Sequence, residues 1–187
     1  MKVLVNLVCR TYKKELLLDI VEKCRSQNHD VTVNVCDYTL EKNIANEVGE
    51  ISSDGFQQKI LNLDFEDISN HDKKTIELAG SEKFDAVIDL DAAIEVEKNF
   101  LDDMELETFA DNNYGCLYTD FFSKTKNDYK IYVNQKSFPL VSNSLPLIAF
   151  SFEAYSKNIN NDNPKGFILS SMVSKHVKKA LCSIKNA

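Results

Sequence analysis

The sequence predicts an α/β fold with a mostly parallel central sheet, and three observations carry that prediction. Short, β-branched apolar runs alternate with helix-patterned segments. Several of these runs are apolar at nearly every position, as strands covered on both faces must be. The joins between the first strand, the first helix and the second strand are short enough for a right-handed crossover between parallel neighbours. With 187 residues the chain suits one domain, since domains average roughly 150 residues. No internal repeat and no linker between two full domains is present.

The elements follow in order. Residues 3–8 (Val-Leu-Val-Asn-Leu-Val) form the first strand. Residues 13–25 place Leu16, Leu17, Ile20, Val21 and Cys24 at helical spacing, with Lys and Glu on the other face. Residues 31–35 are a second strand ending in Cys36-Asp37, and 59–63 a third. Ser69-x-x-Asp72 has the form of a cap opening a helix to residue 79, with Gly80 at the stop. Residues 84–90 are a fourth strand and 99–112 a helix. Residues 115–119, 129–133 and 145–150 read as further strands, 151–157 as a short helix and 167–184 as a closing helix. The turn-rich segment 158–164 is the expected mobile loop. The expected organisation is thus an α/β ligand-binding domain over 1–157, followed by a loop and C-terminal helix over 158–187.

Charge and composition exclude several functions. The net charge of -7 and a pI of 5.0 oppose general nucleic-acid binding. Only Arg10 and Arg25 among the 22 basic residues are arginine, which leaves few bidentate phosphate contacts. The Lys-rich C-terminus (Lys175, Lys178, Lys179, Lys185) reads as a solvated face rather than a docking site for an anionic acceptor. No apolar run approaches the roughly 18 residues of a membrane span. The opening residues are strand-like and too short for a signal peptide, so a soluble cytoplasmic protein is expected. Five cysteines (Cys9, Cys24, Cys36, Cys116, Cys182) form no C-x-x-C pair, and most read as buried small hydrophobes in a reducing compartment, the alternative being a catalytic thiol.

In open α/β sheets ligands bind beyond the carboxyl ends of the strands. That rule selects Cys9-Arg10-Thr11, Asp37-Tyr38, Asp89-Leu90-Asp91 and Asp120. Two carboxylates at i and i+2 where a buried strand ends suit Mg²⁺ or Mn²⁺ carrying a phosphate-bearing substrate. The alternative is that each Asp caps the turn after its strand. Neither G-x-G-x-x-G nor G-x-x-x-x-G-K-[ST] occurs, so a dinucleotide site and a P-loop are not supported. The G-x-S-x-G elbow of α/β-hydrolases is missing too.

The opening strand with Arg10-Thr11-Tyr12, the helix ending in Arg25-Ser26-Gln27, and the strand ending in Asp37 resemble the start of A-type glycosyltransferases of the large family two. Phe84-Asp85-Ala86-Val87-Ile88-Asp89-Leu90-Asp91 resembles that family's apolar strand running into its metal-binding Asp-x-Asp. The stretch from Tyr114 to Asp120 continues the pattern, which spans roughly residues 3–155. The resemblance implies a single-domain, Rossmann-like sheet flanked by helices and a nucleotide-sugar donor with Mn²⁺ or Mg²⁺. It also implies nucleotide contacts at Arg10, Asp37 (the base) and Asp89 (the ribose or metal), and a metal ligand at Asp91.

Two departures from the family pattern are visible. The later Glu-Asp pair that supplies the catalytic base has no counterpart in Gly166-Phe167-Ile168-Leu169-Ser170-Ser171, and the chain ends about where an acceptor region is elaborated. Asp120, Glu153 and Asp162 remain as candidate bases. Asp120 is preferred because it follows a strand at the correct sheet end. Slow transfer is expected, or a site completed by a larger acceptor, a partner protein or a second copy. His176 reads either as a late metal ligand or phosphate contact, or as an ordinary residue on a Lys-rich helix. Two further readings stay open: a degenerate, binding-only glycosyltransferase fold, and a haloacid-dehalogenase-like phosphatase. The latter normally carries its Asp motif on the first strand, followed by Gly-Thr rather than Ala92-Ala93.

Overall fold

The apolar runs near residues 3–8, 31–35 and 84–90 become β1 (Lys2–Cys9), β2 (Asp30–Asp37) and β5 (Ala86–Asp91), three adjacent parallel strands. A computed structural model describes residues 1–62, 71–79, 82–111, 114–124, 130–133, 147–161, 165, 168 and 172–185. On β1, Val3, Val5 and Leu7 face one side and Leu4 the other, and all four are fully buried. Each such side chain contributes about 1.5–3 kcal/mol of apolar burial. Helix α1 (Lys14–Arg25) makes the crossover from β1 to β2 and buries Leu17, Ile20, Val21 and Cys24 against the sheet. Gln27 closes this helix: its Nε2 donates to the Lys23 carbonyl (2.7 Å) and to that of Lys98 (2.8 Å), satisfying an orphan carbonyl at the helix end.

The remaining elements are α2 (Ile44–Val48), β3 (Ser52–Ser53), β4 (Phe56–Asn62), α3 (His71–Ala79), β6 (Glu95–Val96), a 3-10 turn (Asp102–Met104), α4 (Thr108–Asp111), β7 (Tyr114–Lys124), β8 (Lys130–Val133), β9 (Ile148–Ser151), α5 (Phe152–Lys157) and β10 (Val173–Lys185). Among the described residues one sheet holds all the strands in the order β3-β4-β2-β1-β5-β9-β7-β10-β6, with β8 on β7. The long ladders β4–β2–β1–β5 and β7–β10 are parallel, whereas β9 is antiparallel to both β5 and β7. This is the single α/β domain that the alternation predicts. No helix among the described residues is long and apolar enough to cross a membrane.

Two expected helices are corrected. The closing segment is the strand β10, not a helix. Val177 and Leu181 lie four residues apart and both are buried, a spacing that mimics a helix. Register shifts between Val177 and Ala180 and between Ala180 and Cys182 add residues to the strand and return Leu181 and Cys182 to the core. The expected helix over 99–112 is instead a 3-10 turn and the short α4, interrupted where Glu105 takes a left-handed backbone (φ 57°). Phe100, Leu101, Met104 and Leu106 are all fully buried around this break. The Ser69 cap, the Gly80 stop and Asp162 lie outside the described residues.

Candidate functional site

Parallel pairing brings the strand ends to one edge. Cys9 lies opposite Asp37, Val8 opposite Asp91, and Asp37 opposite Asn62. Ile148 of β9 pairs with both Asp89 and Tyr118. β7 therefore runs in the direction of β5, and Asp120, two residues past Tyr118, reaches the level of Asp91. Alternation puts Asp89, Asp91, Tyr118 and Asp120 on the same sheet face. Asp91 and Asp120 are two strand spacings apart, about 9–10 Å.

The turns after β1 and β2 enclose a cleft of about 420 Å³, lined by Arg10, Thr11, Tyr12, Thr39, Leu40 and Asn43 with Glu41. The Tyr12 hydroxyl donates to Asn43 Oδ1 (3.2 Å), tying the two walls together. Arg10 Nη1 stands 3.9 Å from Asp91 Oδ2, both side chains about half exposed. Asp91 does cap its turn, because Oδ1 accepts the Ala93 amide (2.8 Å), but Oδ2 faces outward toward Arg10. A divalent ion that takes most of its ligands from phosphates and water needs only one or two protein carboxylates. Asp91 fits that requirement.

Asp37 is fully buried, and its Oδ1 accepts the Thr39 amide (2.8 Å) and hydroxyl (2.6 Å). That is a side-chain turn closing β2. Its Oδ2 is buried with no hydrogen-bond partner, an unsatisfied acceptor at the end of β2.

Asp89 belongs to a different environment. Asn34 Nδ2 donates to Asn6 Oδ1 (3.2 Å), and Asn6 Nδ2 donates to Asp89 Oδ1 (3.0 Å), a polar row crossing β2, β1 and β5 inside the sheet. Lys165 donates to Asp89 Oδ2 and stands 2.8 Å from Asp72 Oδ1. His71 Nε2 lies 3.5 Å from Asp89 Oδ2, while its Nδ1 is 2.7 Å from the Tyr38 hydroxyl. The Tyr155 hydroxyl donates to Asp72. Burial pushes the Asp89 carboxyl up, but Lys165 and His71 overcome it and hold the group well below the usual carboxylate range. Burial likewise opposes charge on Lys165, yet Asp89 and Asp72 raise its ammonium above the ordinary lysine value. Burial, then Asp89 and Asp72, push the Tyr155 phenol well up.

Asp120 is 1% exposed, and its Oδ1 is 2.8 Å from His176 Nε2. The His176 ring stacks on Tyr118 with centroids 5.0 Å apart. Glu153 is removed as a base by topology. β9 is antiparallel to β5, and Ser151 pairs with Ala86, so Glu153 follows at the opposite end of the sheet; there it pairs with Lys157 on an exposed helix face. The five cysteines are buried and free. Burial pushes the thiols up, those of Cys9, Cys24 and Cys182 to about 12, which leaves no nucleophilic thiolate at neutral pH. Lys175 and Lys179 on β10 pair with Glu105 (2.7 Å) and Asp103 (2.6 Å).

His71, Asp72, Lys165, Tyr155 and Asn34 were not anticipated at the site. The only sequence signal for the polar row was an Asn in the middle of each of two apolar strands, at positions 6 and 34. Nothing local marks Lys165 or His71, because their partner is reached only through the fold.

No protein-family model and no curated protein matches the chain. Among solved structures, the crystal structure of S. aureus TarS 1-349 matches with a TM-score of 0.60 and 15% identity, over 99% of this chain and 60% of that one. The structure of S. aureus TarS 1-349 in complex with UDP matches with a TM-score of 0.58 and 13% identity, over 100% of this chain and 61% of that one. The chain thus spans about three fifths of the length of these structures. At such identities the likeness concerns the fold, and that fold is glycosyltransferase-like.

Proposed function

We propose that this chain binds a nucleoside-diphosphate sugar in the cleft between the β1 and β2 turns and transfers the sugar to an acceptor. The observation that carries the reading is the pairing of Arg10 with the outward oxygen of Asp91 beside that cleft, at the carboxyl ends of adjacent parallel strands. The UDP complex of the similar fold makes uridine diphosphate the first nucleotide to test. In this reading Arg10 contacts the diphosphate and the buried Asp37 Oδ2 accepts from the base. Asp89 sits below the ribose, and Asp91 holds Mn²⁺ or Mg²⁺. When bound, that ion supplies positive charge against the departing diphosphate. Asp120, oriented by His176, takes the proton of the acceptor hydroxyl as its oxygen bonds to the anomeric carbon and the phosphate–sugar bond breaks.

Calorimetry of UDP with and without Mn²⁺, on wild type and Asp91→Ala, tests it. Wild type should bind more tightly with the metal, and the variant should lose that difference. Equal wild-type affinity in both conditions defeats the metal assignment, and no UDP binding at all defeats the reading.

A binding-only protein of the same fold is the second reading. It is favoured by one observation: the candidate base Asp120 is buried and already engaged by His176. Donor binding without hydrolysis or transfer, over a panel of nucleotide sugars, selects it. The phosphatase reading requires Asp89 as nucleophile, yet both of its oxygens are engaged, by Asn6 and by Lys165.

A further inference from the structure

His71, Asp72 and Asp89 form a group with the chemistry of a metal site, since one donor atom from each lies within 4.8 Å of the others. An imidazole with two carboxylates suits Mn²⁺, Co²⁺ or Zn²⁺. The arrangement of charge in the cluster contradicts a metal there. The Lys165 ammonium contacts both carboxylates, so two negative charges already face a fixed positive one. The three side chains are only 17–21% exposed. An entering ion would have to strip Lys165 of both partners and leave its ammonium unpaired in a mostly buried site, which is strongly unfavourable.

We propose that Lys165 is the resident cation of the Asp72–Asp89 pair and excludes divalent metal from it, which leaves Asp91 as the member of the Asp89-x-Asp91 motif open to an ion. The ammonium spends two of its three donors on the carboxylates. Asp89 is thereby fixed twice, by Asn6 on one oxygen and by Lys165 on the other, while Asp91 keeps an outward oxygen. The two members of the motif are thus divided in role: one belongs to an internal ion-pair network, and the other faces Arg10 beside the cleft. This goes beyond the proposed transferase activity, and its test uses metal alone, so failure of nucleotide binding leaves it standing.

The probe is Co²⁺ without nucleotide, followed by its visible absorption and by the shift in Tm. Wild type and Asp91→Ala should show neither signal, because Lys165 guards the cluster. Lys165→Met should bind Co²⁺ at least tenfold more tightly than wild type, and Lys165→Met/His71→Ala should lose that gain. Co²⁺ binding by Asp91→Ala that disappears in Asp91→Ala/Asp89→Asn would overturn the proposal. So would a cooperatively folded Lys165→Met that binds Co²⁺ no better than wild type. If Lys165→Met does not fold, the two proteins that keep Lys165 decide: silence to Co²⁺ in both supports the proposal, and Asp89-dependent binding defeats it.

Discussion

Replacing Lys165 by Met removes the ammonium that bridges two carboxylates 17% and 21% exposed. Breaking a buried ion pair by deleting one partner costs about 3–5 kcal/mol, because the survivor is left charged and poorly solvated. Here two survivors also repel each other, so the upper part of that range is expected at pH 7. The pH dependence gives a sharper signature. In wild type the Asp89 carboxyl is held below its unfolded value, so its contribution is complete above about pH 4. That contribution is lost as the pH falls further. Without Lys165 the largest opposing charge is gone, His71 alone remains against burial, and the folded carboxyl moves up. The stability that Asp89 contributes above its unfolded value is therefore smaller in the variant, and the difference is largest where the carboxylate is fully charged. Urea unfolding between pH 4.5 and 7, within roughly the range where Asp89 leaves wild type flat, should show the wild-type advantage over the variant growing with rising pH. A Lys165→Met protein within about 1 kcal/mol of wild type at pH 7, or one with a parallel pH profile, would refute the reasoning. Adding Asp89→Asn should recover part of the loss, since it removes one of the stranded charges.

Three other outcomes are expected. Arg10→Ala should weaken UDP binding about tenfold, as a charge-assisted hydrogen bond of about 1.5 kcal/mol is lost, with Tm unchanged because the side chain is half exposed; calorimetry and a thermal melt check both. Gly115→Ala should cost about 1–3 kcal/mol in urea unfolding, because a Cβ there would stand 2.5 Å from Met172 Cβ and 2.8 Å from Ile168 Cγ2. Asp120→Asn should keep UDP affinity and lower any sugar transfer by about a hundredfold or more, read in a transfer assay; full activity in the variant removes Asp120 as the base.

Much of the central sheet was legible in the residues themselves. β1, β2 and β5 are nearly continuous apolar runs, and only strands covered on both faces tolerate that composition. The strand-end carboxylates Asp37 and Asp91 could be placed at one edge from the parallel order alone, whereas Asp120, expected just past a strand, lies inside β7. The C-terminus could not be read in this way. The four-residue spacing of Val177 and Leu181 fits a helix, and only pairing with β7 and the bulges around Ala180 reveal a strand. Residues 99–112 likewise look helical until the left-handed Glu105 breaks them.

The sequence by itself therefore determined the α/β class, the inner strands and the end of the sheet where a ligand belongs, because backbone pairing and apolar burial act through local pattern. Only the tertiary structure decided the division of labour between Asp89 and Asp91. Two residues apart on one strand, they are equivalent by pattern, yet Asp89 meets Asn6 and Lys165, each more than seventy positions away, while Asp91 meets Arg10, which lines the cleft. Charge compensation acts over a few ångströms of space and ignores distance along the chain, so the partners that set each carboxylate's chemistry exist only once the fold has formed.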